Sequence, residues 1–208
     1  MCRLRFPTID AVDQHPACPV CGGETEAVAL PELDMGREAE GSAQPQLKPL
    51  GKGRDLVGVL DNIRSAWNVG AMVRTADGAG LTHLHLCGIS APPDHPKVAK
   101  TSLLDADDLP WTYHRNSLDA AVEIRAQGYE LWALETSPES TSLFAPELRD
   151  GDQRRIALIV GHERAGVDPE LQALADRHVH LPMFGTKSSL NAAVAFGAAI
   201  YWLRGLDT

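Results

Sequence analysis

The hydrophobic pattern divides the chain into two textures. Up to about residue 54 no sustained apolar periodicity appears. Gly41 to Gly53 is rich in Gly, Pro, Gln and Ser, which predicts a linker. From Asp55 the pattern changes. Leu56-Val57-Gly58-Val59-Leu60 predicts a buried strand, and Ala66 to Ala79 a helix stopped by Gly78 and Gly80. Leu84 to Cys87 predicts the next strand. Ser117 reads as the N-cap of a helix over Leu118 to Gln127, closed by Gly128. Tyr129 to Leu134 and Ile156 to Val160 read as further strands. Asp168-Pro169 fits the cap and first turn of a helix over Glu170 to Ala175. Val179 to Leu181 follows as a short strand, and Ser189 opens a last helix running to about Arg204.

Strands alternating with helices predict an α/β fold: a mainly parallel sheet with helices on both faces. Ligands in such sheets sit beyond the carboxyl ends of the strands, so the residues just after each strand are the ones to weigh. The last helix is informative in another way. From Leu190 to Leu203 it is apolar around nearly its whole circumference, and its own sheet can cover only one side. A partner subunit is the expected cover for the other side, with burial inside one chain as the alternative.

The 208 residues hold one α/β domain and a small appendage, divided here as 1–54 and 55–208. With 28 acidic and 19 basic residues the net charge is −9, which argues against a protein that coats nucleic acid generally but not against a local basic site. The apolar stretch Leu190 to Leu203 is short for a membrane span. The N-terminus has no long apolar core of a secretory signal. Four cysteines are too few for a disulfide scaffold of this size, so a reducing cytoplasm is expected. Cys18-Pro19-Val20-Cys21-Gly22-Gly23 is half of a zinc knuckle, which Cys2 and His15 could complete to four ligands. A redox pair or two unligated thiols are the alternatives.

The usual nucleotide signatures are missing. No GxGxxG follows the first strand. Gly161 to Gly166 has the glycine spacing of a phosphate-binding loop, but Val167-Asp168 stands where Lys-Ser/Thr is required, and Glu163 would repel a phosphate. Three other turns stand out. After the first strand come Asn62, Arg64, Asn68, Gly70, Arg74 and Thr75. After Ile156–Val160 come Gly161, His162, Glu163, Arg164 and Gly166. Before the last helix come Leu181, Pro182, Met183, Lys187, Ser189, Leu190, Asn191, Ala193 and Ala195.

In this order the three segments resemble the three motifs of the SpoU-type (TrmH-like) RNA ribose methyltransferases of the SPOUT superfamily, over roughly residues 55–204. There are departures. His162 stands where the second motif commonly has Asn, and Ala192 and Ala193 stand where the third commonly has Val and Ser. The resemblance implies a deep C-terminal trefoil knot, a homodimer through the last helix, and methyl transfer from S-adenosylmethionine (AdoMet) to a ribose 2′-hydroxyl of tRNA or rRNA. It implies catalytic roles for Asn62, Asn68, Arg74, Glu163, Ser189 and Asn191. It implies a cofactor site at Gly161, Glu163, Gly166, Leu181, Met183, Leu190, Asn191 and Ala193. Arg74 would help deprotonate the hydroxyl or, being almost always protonated, anchor an RNA phosphate. Arg64, Arg74, Arg164 and Lys187 are the cations expected to meet RNA. A knotted enzyme with another acceptor, and a non-catalytic RNA-binding protein on the same fold, are the alternatives.

Overall fold

The structure is a computed structural model that describes residues 54–104, 108–148 and 155–206. The chain divides into two units, Met1–Lys48 and Pro49–Thr208, and every described residue lies in the second. Cys2, His15, Cys18 and Cys21 lie outside the described residues, as does the predicted linker. Among the described residues no three His, Cys, Asp or Glu side chains are grouped to hold a metal, and no helix is long and apolar enough to cross a membrane.

The elements run β1 (Leu56–Asp61), α1 (Ala66–Gly78), β2 (His83–Cys87), α2 (Pro96–Ser102), β3 (Trp111–His114), α3 (Ser117–Ala126), β4 (Glu130–Leu134), β5 (Thr141–Ser142), a 3-10 turn (Pro146–Leu148), β6 (Ile156–Val160), α4 (Pro169–Leu174), β7 (Arg177–His180) and α5 (Ala192–Gly205). The strands form one sheet in the order β3-β2-β1-β6-β4-β7-β5, with every neighbouring pair parallel.

Parallel strands covered on both faces must be apolar at every position, not at alternate ones. β1 and β6 are buried throughout. Their alternate residues feed two cores. Leu56, Leu60, Ile156, Leu158 and Val160 pack with Val69, Met72 and Val73 of α1 and with Phe196, Ala199, Ile200 and Leu203 of α5. Val57, Val59, Ala157 and Ile159 pack with Ala120, Ala121 and Ile124 of α3 and Leu171 of α4. Arg204 fastens the end of α5. Its guanidinium donates to the carbonyls of Arg54, Ala79 and Gly80 at 2.8–2.9 Å, which joins the entry to β1 with the end of α1.

Two helix starts differ from the sequence reading. Asn116, not Ser117, caps α3 by accepting from the Leu118 amide at 3.0 Å. The last helix begins at Ala192 under an Asn191 cap, so Ser189 belongs to the preceding loop. Besides the 3-10 turn, three elements were not foreseen. α2 buries only Val98 and Ser102, β3 is a half-exposed edge strand, and β5 is two residues long. None carries the apolar run by which a buried element is recognised.

Candidate functional site

The turns that follow β1 and β6, and the segment that follows β7, meet at the carboxyl edge of the sheet. A cleft of about 240 Å³ opens there, beyond the ends of β4, β6 and β7. Its apolar wall is Leu134, Leu181, Met183, Leu190, Ala192 and Ala195, and its polar wall includes Glu135, Thr136, His162, Glu163, Arg164, His180 and Ser189.

The turn after β6 forms the floor. Gly166 has φ +77°, a left-handed backbone that favours glycine, and an added Cβ would strike the Glu135 carboxylate. At Gly161 an added Cβ would strike the backbone of Gly166 and Val167, so the turn folds back onto its own start. The Gly166 amide donates to the His162 carbonyl at 2.8 Å and closes the loop.

Glu163 ties this turn to the first motif. Its carboxylate accepts from the backbone N–H of Arg64 and Ser65, each at 3.0 Å, and from the Asn68 side-chain amide at 2.8 Å. Those amides open α1, where the free N–H groups of a helix start favour an anion. Partial burial pushes the Glu163 carboxyl up. The hydrogen bonds from its own amide, Ser65, Arg64 and Asn68 outweigh that and hold it below the usual carboxylate range. The chain of contacts then reaches the third motif. Asn191 donates through Nδ2 to Asn68 Oδ1 at 3.2 Å, while its own Oδ1 caps α5 by accepting from Ala193 and Val194. Glu163, Asn68 and Asn191 therefore lock all three motif segments together.

The other expected residues fall into distinct places. Gly161, Glu163, Gly166, Leu181, Met183, Leu190 and Ser189 line the cleft. Asn191 and Ala193 do not line it; Ala192 and Ala195 face it from the first turn of α5, while Ala193 packs against the core. Asn62 sits outside the cleft in a left-handed conformation (φ 56°) and braces the ends of two strands. Its amide nitrogen donates to Asp61 at 2.8 Å, and its oxygen accepts from the Ile89 amide at 3.3 Å. Arg164 lines the cleft, whereas Arg64 and Lys187 are exposed outside it. Arg74 is exposed on α1, is not among the hydrogen-bond partners of Glu163 and does not line the cleft of its own chain.

Two acids were missed. Asp61, 1% exposed, accepts from the Asn62 side chain and, at 2.9 Å, from the Asp168 amide, which orients the start of α4. Glu135 accepts from the Val167 amide at 3.1 Å and lines the cleft. Each lies at or just beyond the carboxyl end of a strand, β1 for Asp61 and β4 for Glu135. That position was the available signal. Cys87 is a core residue: burial pushes its thiol up to about 12, with Asp61 adding to the effect.

The comparisons with known proteins agree with one another. The model of the SpoU rRNA Methylase family matches residues 55–201. A 23S rRNA (guanosine(2553)-2′-O)-methyltransferase of Bacillus subtilis is 32% identical over 149 residues, which are 71% of this chain and 57% of that protein. A tRNA (guanosine(18)-2′-O)-methyltransferase of Aquifex aeolicus is 28% identical over 155 residues, 71% of this chain and 68% of its own. Among solved structures, an AdoMet-bound rRNA methyltransferase from Sinorhizobium meliloti superposes with a TM-score of 0.66 at 26% identity, covering 74% of this chain and 57% of that one. The chain thus spans little more than half the length of the Bacillus relative and of the Sinorhizobium structure.

Proposed function

Because this chain belongs to the SpoU rRNA methylase family, we propose that it transfers a methyl group from AdoMet to a ribose 2′-hydroxyl of tRNA or rRNA. The observation that carries the reading is that the Glu163–Asn68–Asn191 network joins three separate motif segments beside a cleft that the second and third of them line. In this reading residues 55–208 are the catalytic unit, with the knotted C-terminal segment of the family, and residues 1–54 are an extension.

The cleft suits AdoMet in its chemistry. Leu181, Met183 and Leu190 offer an apolar bed for a purine, and the tightly folded Gly161–Gly166 turn lines the cleft beside them. Glu135 and Glu163 outnumber the one arginine of the polar wall, Arg164, which favours a cationic cofactor over one that carries phosphates. When bound there, AdoMet supplies a methyl group already activated by its sulfonium. The protein's own task is then to orient the ribose and manage the proton of its hydroxyl. Glu163 and Asn191 fix Asn68 at the start of α1. Ser189 and Arg164 stand at the cleft, and Arg64 and Lys187 add nearby positive charge for the RNA backbone. Among the described residues no side-chain bond ties Arg74 to the fold, so its guanidinium is available to anchor a phosphate or stabilise developing oxyanion charge. α5 would pack against a second copy of the chain, in a homodimer.

Transfer of labelled methyl from AdoMet to total RNA tests the proposal, with Arg74→Ala as the control. The expected result is incorporation at ribose positions that falls at least about 100-fold in the variant. Full activity in Arg74→Ala would remove that residue from the mechanism. Cofactor binding with label appearing on bases, or on no RNA, would refute the ribose assignment.

A further inference from the structure

His162 occupies a place where the motif resembled commonly carries Asn, and the structure shows what the ring does there. Its Nδ1 lies 3.1 Å from the Arg164 amide nitrogen and 3.2 Å from that of Ala165. A backbone N–H can only donate, so Nδ1 accepts both bonds and carries no proton. The neutral ring must then hold its proton on Nε2. Nδ1 of His and Oδ1 of Asn stand the same number of bonds from the backbone, so either side chain can cap this turn. They differ in one respect: the amide oxygen does not titrate and the imidazole does.

The turn matters because of what depends on it. Glu163, the next residue, grips the start of α1, and Glu163, Arg164 and Gly166 line the cleft. Protonating Nδ1 would turn the acceptor into a donor that faces two donors. Both bonds would break, and the turn would lose the side-chain cap that supplements the Gly166 to His162 backbone bond.

We propose that His162 is a positioning residue that holds the Gly161–Gly166 turn through an unprotonated Nδ1, so that uptake of the cofactor requires a neutral imidazole at this position. This rests on the reading of the cleft as the AdoMet site. Four other charged or titratable groups face the same space: Glu163 and Arg164 on the turn itself, Glu135 after β4 and His180 at the end of β7. A pH effect on binding is therefore assigned to His162 only by the difference that its replacement makes.

The full-length protein is titrated with AdoMet by calorimetry between about pH 8 and about pH 5.5, the window in which a histidine changes charge. Native affinity is expected to fall about five- to tenfold on acidification, the most that one ordinary histidine proton can give over this window, and that of His162→Asn to change by less than about threefold. His162→Ala, without an acceptor, is expected to bind weakly at both ends. An independent readout needs no cofactor. Long-range proton–nitrogen NMR should show Nδ1 of His162 unprotonated at neutral pH, and the Arg164 and Ala165 amide signals should move with the midpoint of ring protonation. A proton on Nδ1 at neutral pH, or the same pH dependence in native protein and His162→Asn, would overturn the proposal. No AdoMet binding at any pH, with the NMR signature intact, would overturn the cofactor reading instead and with it the link to uptake.

Discussion

At the scale of single residues, the site depends on a carboxylate placed where amides point. Glu163 serves two backbone N–H groups and one side-chain amide at the start of α1. Replacing it with Ala leaves those donors to water and removes the anion from the helix start. We expect a loss of about 1–2 kcal/mol, lowered for its exposure to solvent, measured by urea unfolding at neutral pH. The sign with pH follows from the depressed carboxyl. The unfolded chain binds this proton more readily, so the stabilisation is present above the ordinary Glu range and lost as pH falls through the lower folded value. A native and a Glu163→Ala curve that stay parallel down through that acid range would contradict the assignment. Gly166 offers a second test. At φ +77°, with the Glu135 carboxylate where a Cβ would stand, Gly166→Ala meets both backbone strain and a clash. The expected cost is about 1–3 kcal/mol together with loss of cofactor binding. A variant as stable as the native chain would show that the turn can relax.

At the scale of elements, what the sequence makes legible is what repeats in a regular pattern. β6 is an unbroken apolar run, β1 is one up to Asp61, and α1 stops at glycines, so the residues alone mark their places. The carboxyl-end rule then points to Gly161, Glu163 and Gly166. Edge and surface elements are not legible: Trp111-Thr112-Tyr113-His114 of β3 exposes half its side chains and shows no apolar alternation. Nor can the pairing of Glu163 with Arg64 and Ser65, nearly 100 residues away, be read from local spacing. The β2–β3 edge hides one further property. His85 Nδ1 lies 3.0 Å from His114 Nε2, the His83 and His85 rings are 4.6 Å apart, and His114 lies 4.0 Å from Glu123 of α3. Burial, with His83 and His114 adding, pushes His85 down to about 3. Its neutral form is thus the folded form. Stability from this group is present above the ordinary histidine range and declines as pH falls from there toward about 3. Unfolding free energies from urea titrations between about pH 7 and about pH 4.5 should drop by up to about 1.4 kcal/mol per pH unit, and His85→Gln should flatten that slope. An unchanged slope would place the acid sensitivity in other groups, His83 first among them.

At the scale of the whole molecule, α5 presents two unlike sides. Phe196, Ala199, Ile200 and Leu203 are sealed against the sheet, while Val194 (57% exposed), Ala198 and Tyr201 (53%) form an outward stripe at helical spacing. The stripe continues onto α1. The Tyr201 hydroxyl would stand 3.0 Å from a Cβ at Gly78, and Trp67 is 52% exposed near the opposite end of that helix. Single exposed apolar residues are ordinary on a protein surface, but a strip across two packed helices is the form an interface takes. Arg74 is exposed on α1 as well, so a second copy seated there would enclose it, although its own cleft does not reach it. We therefore expect light scattering to show a dimer, and Val194→Glu with Tyr201→Glu to give a monomer. The melting of that monomer should reflect only loss of the partner, because neither side chain belongs to the core. Methyl transfer should be lost with the dimer while AdoMet binding survives. The same measurement on mixtures sharpens the point. Unfolding and refolding Arg74→Ala together with a chain impaired at Gly166 should restore part of the activity if one copy supplies the arginine and the other the cofactor turn. No restoration in mixed dimers of confirmed composition would return Arg74 to its own chain's site, and a native protein that is monomeric at micromolar concentration would remove the partner altogether.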